Sequence, residues 1–116
     1  MFAPPPELKT EVFARLPEKY RVTDRISEWA FGKENPKLHS FLEGPSFDRD
    51  GNLLVTDIPF GRVFKVSPTG EFDLIAEYDG EPNGMAIDAE GMLFLADHKN
   101  GVVKVDPASG VVTFVL

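Results

Sequence analysis

Glu43, in Leu42-Glu43-Gly44-Pro45, and Asn83, in Pro82-Asn83-Gly84-Met85, stand forty residues apart, each directly before a glycine. Both side chains end in an oxygen donor, a carboxylate in one and an amide carbonyl in the other. Brought together they suit a hard divalent cation, for which oxygen is the preferred ligand. Calcium is the first expectation, with magnesium, manganese or zinc as alternatives. The plainer reading is that both residues simply begin strands, Asn83 as the turn residue of Pro-Asn-Gly. His98, following Asp97, is the next candidate: a strand-end loop could present it to a substrate, or it could be a hydrogen-bonded structural imidazole. Asp57 and Asp97 also share a position forty residues apart, and aspartate there reads as turn construction, since its carboxylate bonds nearby backbone amides.

Other chemistries are excluded by what is missing. Asp48-Arg49-Asp50-Gly51-Asn52 suggests an EF-hand, but counting from Asp48 the sixth and twelfth positions hold Leu53 and Pro59 instead of glycine and glutamate. There is no phosphate-cradling glycine loop, no Gly-x-Ser-x-Gly elbow and no serine triad. Cysteine is absent, which removes disulfides, thiolate zinc sites and cysteine nucleophiles together. The two histidines, His39 and His98, are too few for a polyhistidine metal site.

The elements that must position Glu43 and Asn83 are short β-rich runs separated by turn residues. Gly44–Asp48, Asn52–Asp57, Arg62–Val66 and Glu71–Ala76 form one set of expected strands, with Asp50-Gly51, Pro59 with Gly61, and Pro68-Thr69-Gly70 between them. Gly84–Asp88, Met92–Asp97, Val102–Asp106 and Val111–Val115 form a second. Gly44, Asp48, Gly51, Asp57 and Gly61 fall on Gly84, Asp88, Gly91, Asp97 and Gly101, each pair forty residues apart. Small gaps bring Lys65-Val66 onto Lys104-Val105. Such an internal repeat, four strands in about 40 residues, is the signature of a β-propeller blade. The expected fold is therefore all-β, with two four-stranded antiparallel blades over residues 41–80 and 81–116, preceded by an irregular N-terminal arm, residues 1–40. In the arm, Glu11–Leu16 reads as a short helical turn or an extended strand stopped by Pro17, and Trp29, Phe31 and Leu38 read as anchors.

Length and charge set further bounds. The 116 residues carry 12 basic and 19 acidic side chains, a formal charge of −7. No basic surplus exists to neutralise phosphates, so no nucleic-acid partner is expected. No apolar run approaches a membrane span and Pro4-Pro5-Pro6 interrupts any signal peptide, so no membrane partner and a cytoplasmic location are expected. Propellers carry at least four blades. Two blades predict either an N-terminal fragment or a chain that self-associates through exposed blade edges.

Phe41-Leu42-Glu43-Gly44-Pro45-Ser46-Phe47-Asp48 with Leu53-Leu54-Val55-Thr56-Asp57-Ile58-Pro59 resembles the opening blade of the gluconolactonase and regucalcin (senescence marker protein) family. Glu81-Pro82-Asn83-Gly84-Met85-Ala86-Ile87-Asp88 and Leu95-Ala96-Asp97-His98 resemble its second blade. The arm around Glu11–Pro17 is similar to the lead-in of bacterial and fungal members. The resemblance implies a six-bladed propeller that hydrolyses sugar lactones or related esters with a divalent metal on its axis. It implies Glu43 and Asn83 as metal ligands, and Asn83 with His98 as substrate contacts. The family's remaining ligands, an asparagine and the aspartate that is its candidate general base, would lie beyond Leu116. No catalytic residue is then expected within the chain, which alone would be inactive. The competing expectation is a non-catalytic propeller fragment acting as a binding or self-associating scaffold.

Overall fold

The computed structural model describes residues 1–116. Strands β1 (Leu42–Phe47), β2 (Leu53–Asp57), β3 (Arg62–Val66) and β4 (Phe72–Glu77) make the first sheet. Strands β5 (Pro82–Ile87), β6 (Leu93–Asp97), β7 (Gly101–Val105) and β8 (Val112–Phe114) make the second. Each is a four-stranded antiparallel meander in sequence order, and neither closes on itself. Helix is confined to three-residue 3-10 turns at Glu18–Tyr20, Glu28–Ala30 and Ile58–Phe60. The chain is thus all-β with two four-stranded sheets, and Glu11–Leu16 is neither helix nor strand.

The turns follow from side-chain chemistry. Asp48 Oδ1 accepts the backbone N–H of Asp50 and of Asn52, each at 2.9 Å. Asp88 Oδ1 accepts those of Glu90 and Met92 at 3.0 and 2.8 Å. Gly51 and Gly91 close these hairpins at φ of 80° and 86°, where a side chain is disfavoured. The forty-residue repeat is therefore a repeat of hairpin construction, and the Asp48 loop spends its carboxylate on its own backbone.

Alternation along the strands gives each sheet two faces. On the first sheet, Leu54 and Val63 pack with Leu93, Leu95, Val103 and Val105 of the second to form the main core. Two hydroxyls cross the same interface: Ser46 Oγ donates to the Met85 carbonyl at 3.2 Å and Thr56 Oγ1 to the Asn83 carbonyl at 2.9 Å. The opposite face of the first sheet, Val55, Phe64 and Val66, is covered by the arm through Leu16, with Ala14 and Tyr20 beside it. Tyr20 meets Phe64 edge-on at 5.1 Å. Among the expected arm anchors, Trp29 stacks on Phe41 at 5.2 Å. Phe31 is 67% exposed and anchors nothing. Leu16 and Ala30 take the buried places instead.

Arm and sheet are joined through a fully buried ion pair. Arg62 directs Nε and Nη2 to Asp57 Oδ2 at 2.8 and 2.6 Å, and its Nη1 donates to the Tyr20 carbonyl at 2.7 Å. Asp57 Oδ1 accepts the Phe41 N–H at 2.6 Å. Burial pushes the Asp57 carboxyl upward, and the Phe41 amide and the Arg62 guanidinium oppose that rise. Removing one member strands the other charge in a dry site, which costs about 3–5 kcal/mol, whereas replacing both by apolar residues is close to neutral. Chemical denaturation should therefore show Arg62→Leu losing most of that amount. A double variant with Asp57→Leu added should recover stability relative to Arg62→Leu alone; a further additive loss would disprove the coupling.

Candidate functional site

The sites singled out in the sequence lie where β1 and β5 begin and β6 ends. Both inner strands are irregular at matching positions. The ladder between β1 and β2 slips between Glu43 and Ser46, and that between β5 and β6 slips between Pro82 and Met85. A bulge releases residues from regular pairing and re-aims their side chains. Glu43 and Asn83 sit in these two bulges, and the strands carrying them lie side by side. The Asn83 carbonyl oxygen comes against the Cα of Gly44, closer than any Cβ there would allow, and Gly44 has φ of 57°. Glu43 is half-buried and its Oε2 accepts the Gly44 N–H only at 3.4 Å. Its burial does not by itself demand a counter-charge. Asn83 is exposed, and its carbonyl is already occupied by Thr56 Oγ1. What remains for a ligand is the Glu43 carboxylate and the Asn83 side-chain amide.

His98 follows β6 and is exposed; its backbone N–H donates to the Glu81 carbonyl at 3.0 Å, two residues before Asn83. In the first sheet the same backbone bond runs from Ile58 to the Phe41 carbonyl. The repeat thus substitutes an exposed imidazole for a buried isoleucine. This places His98 at the same end of the sheets as Glu43 and Asn83.

Asp97 is a structural residue here. Its Oδ2 accepts the Tyr78 hydroxyl at 2.7 Å and the Glu81 N–H at 3.1 Å, while Oδ1 accepts the N–H groups of Lys99 and Asn100 at 2.9 and 2.8 Å. Asp57 and Asp97 hold the entry to β1 and to β5 through equivalent amides, Phe41 and Glu81. The strand register corrects one alignment. Arg62 pairs with Asp57 and Gly101 pairs with Asp97, so Gly101 corresponds to Arg62 and not to Gly61. The second hairpin is one residue shorter, Asp97 has no arginine opposite it, and Tyr78 supplies the missing donor.

Sequence reasoning missed a polar cleft of about 410 Å³ at the crossover between the sheets. Glu28, Glu77, Asp79 and Glu81 line it with Arg25 and Lys99. No sequence signal marked it, because its residues come from four separate connections. Neither it nor the apolar groove beside Phe13 is lined by Glu43, Asn83 or His98. No three aspartate, glutamate or histidine side chains are placed to hold one metal ion. Glu43 and Asn83 are right in donor chemistry for a hard cation but are two against the 6 to 8 oxygens that calcium takes. No helix is long and apolar enough to cross a membrane.

No family model matches the chain. A stretch of 70 residues, 60% of the chain, is 33% identical to nucleolar protein 58 of Schizosaccharomyces pombe. It spans only 14% of that protein's length, too small a share to assign a family.

Two predictions follow from the bulges and from Tyr78. Gly44→Ala drives a Cβ into the Asn83 carbonyl and should separate β1 from β5, while Gly84→Ala meets only the Ala96 Cβ at 3.9 Å. Thermal melts should show a loss of a few kcal/mol for the first and less than about 1 kcal/mol for the second; equal effects would deny the close approach. Burial, with help from the Asp97 hydrogen bond and charge, pushes the Tyr78 hydroxyl far above its ordinary value of 10.0. Its raised folded-state value means that the native chain keeps a proton the unfolded chain releases. That contribution to stability is whole below pH 10 and is lost as pH rises further. Tyr78→Phe should cost about 1–2 kcal/mol at neutral pH, and the difference from wild type should shrink above pH 10.

Proposed function

We propose that residues 41–116 are two blades of a β-propeller of the gluconolactonase and regucalcin type, belonging to a metal-dependent hydrolase that opens sugar lactones or related esters. The observation that carries this reading is the pair of bulges. They set Glu43 and Asn83 at equivalent points on adjacent inner strands, where a rotational repeat would direct them toward a common axis. A divalent cation held there, calcium foremost, supplies Lewis acidity that polarises a lactone or ester carbonyl.

Within this reading each residue of the chain has a limited part. Glu43 contributes the charge that neutralises a cation, and its half-buried carboxylate is free of any strong internal bond. Asn83 offers its amide to the cation or to a substrate hydroxyl. His98, exposed at the same rim, can donate to or accept from a substrate oxygen. The group that would activate water is not assigned among residues 1–116. Asp57 and Asp97, the buried carboxylates at the strand ends, are fully engaged in the hydrogen bonds described above and are unsuited to that work. The proposal thus gives these residues substrate orientation and part of a metal site, with further ligands supplied by later repeats. The similarity to nucleolar protein 58 adds no nucleic-acid reading, since the charge of −7 leaves no cationic surplus.

Manganese titration followed by NMR tests the assignment at weak affinity. Paramagnetic broadening should start at Glu43 and Asn83, saturate only in the millimolar range because two ligands cannot bind tightly, and vanish in Glu43→Gln. Broadening centred instead on the crossover carboxylates Asp79 and Glu81, or unaltered by Glu43→Gln, would refute the ligand role.

A further inference from the structure

The two faces of the repeat are complementary to each other, and the chain displays one of each outside their mutual contact. The second sheet grips the first through Leu93, Leu95, Val103 and Val105, all at most 1% exposed. By register, the equivalents in the first sheet are Leu53, Val55, Phe64 and Val66. That face meets no sheet. The arm lies on it instead, burying Leu16 and leaving an apolar groove of about 450 Å³ beside Val12, Phe13 and Phe72.

The opposite pair of faces shows the same relation. Leu54, Thr56 and Val63 of the first sheet are at most 1% exposed beneath the second sheet. Their equivalents Phe94, Ala96 and Val102 are half-buried or exposed on the outer side of the second sheet. The hydroxyls of Ser46 and Thr56 are replaced there by Ala86 and Ala96. A docking sheet would therefore leave no hydroxyl of these positions unpaired. Lys104, equivalent to Lys65, lays its stem along this face with its ammonium 5.9 Å from the Phe94 ring, where it can stay hydrated at the edge.

We propose that the outer face of the second sheet docks the arm-covered face of the first sheet of another copy of this chain, and that the N-terminal arm is the cap competing for that face. The occupant is specified by the chain itself: the packing already formed between its sheets is the packing that the second copy would repeat. Such contact is heterologous and head-to-tail, so it propagates beyond a dimer unless a cap stops it. The cap is held by Leu16, by Arg21 Nε donating to the Leu16 carbonyl at 3.1 Å and by Arg62 donating to the Tyr20 carbonyl. Val12 and Phe13, 65% and 63% exposed, show how little of the arm is gripped near its start. This inference stands apart from the hydrolase reading and needs no metal or substrate.

A staple locks the cap. A Cβ added at Gly70 would lie 3.4 Å from the Ala14 Cβ, close to the spacing of about 3.5–4.5 Å between bridged cysteines. In a chain without other cysteines, Ala14→Cys with Gly70→Cys can be compared oxidised and reduced, the strained φ at residue 70 burdening both forms alike. Sedimentation velocity over a concentration series should find the oxidised form monomeric and the reduced form increasing in mass. Leu16→Ser, which loosens the arm, should strengthen association about in proportion to the uncapped fraction, tenfold for a tenfold rise. Ala96→Arg, at an exposed position that leaves the fold intact, should abolish association in each background. Equal association of the oxidised and reduced forms, a monomer under all conditions, or indifference to Ala96→Arg would each overturn the proposal, and circular dichroism on each variant separates these results from unfolding.

Discussion

The buried Asp57 and Arg62 pair is the constraint to which the first half of the molecule answers. One carboxylate joins the entry of β1, through the Phe41 amide, to the start of β3, through Arg62. The same guanidinium reaches the arm at Tyr20. Each polar atom is satisfied, and no buried side-chain nitrogen or oxygen in the chain lacks a partner. A pair of this kind adds little net stability over apolar packing but is expensive to break. Its value lies in geometry, because β1, β3 and the arm can be assembled in only one way if both charges are to be met. That fixes the end of the first sheet from which Glu43 projects.

The second sheet solves the same problem with other chemistry. A hairpin shorter by one residue puts Gly101 where Arg62 stands, so Asp97 turns to the Tyr78 hydroxyl and to the amides of Glu81, Lys99 and Asn100. Tyr78 belongs to the crossover from β4. Asp97 therefore ties the second sheet to the first, as Asp57 ties the first sheet to the arm. Gly80 packs so close to Tyr78, Asp97 and Asn100 that a side chain would displace them. The repeat preserves the carboxylate and its grip on the inner strand while its remaining partners differ.

Most of the sheet architecture was legible in the sequence because it is local. Asp-x-x-Gly turns and alternating apolar residues locate every strand to within two residues, since a hairpin needs only its own turn chemistry and its neighbour. The sequence alignment erred by one position at Gly101, because both Gly61 and Gly101 have positive φ and only the ladder shows which residue faces Asp97. The arm was less readable. Leu16 and Tyr20 are no more conspicuous than Phe31, and which of them is buried depends on a face built from Val55, Phe64 and Val66 far along the chain. The polar cleft at the crossover was invisible for the same reason, its carboxylates being neighbours only in space.

Glu43 and Asn83 were found by their spacing, yet their usefulness rests on the bulges, which spacing does not reveal. In a regular ladder both backbones would be bound into pairing and the side chains would alternate strictly between faces. The bulge interrupts this, and at Gly44 it lets the backbone of β5 approach as no other residue would. Thr56 then occupies the Asn83 carbonyl and so fixes the separation of the two strands. Backbone polarity at the junction is thereby consumed within the fold, leaving the side chains of Glu43 and Asn83 as its outward chemistry. Thr56 has no counterpart at Ala96, so the second sheet carries no equivalent lock on its outer side. The first junction is set by hydrogen bonds as well as packing, and contact at the outer face must rely on shape and apolar burial alone.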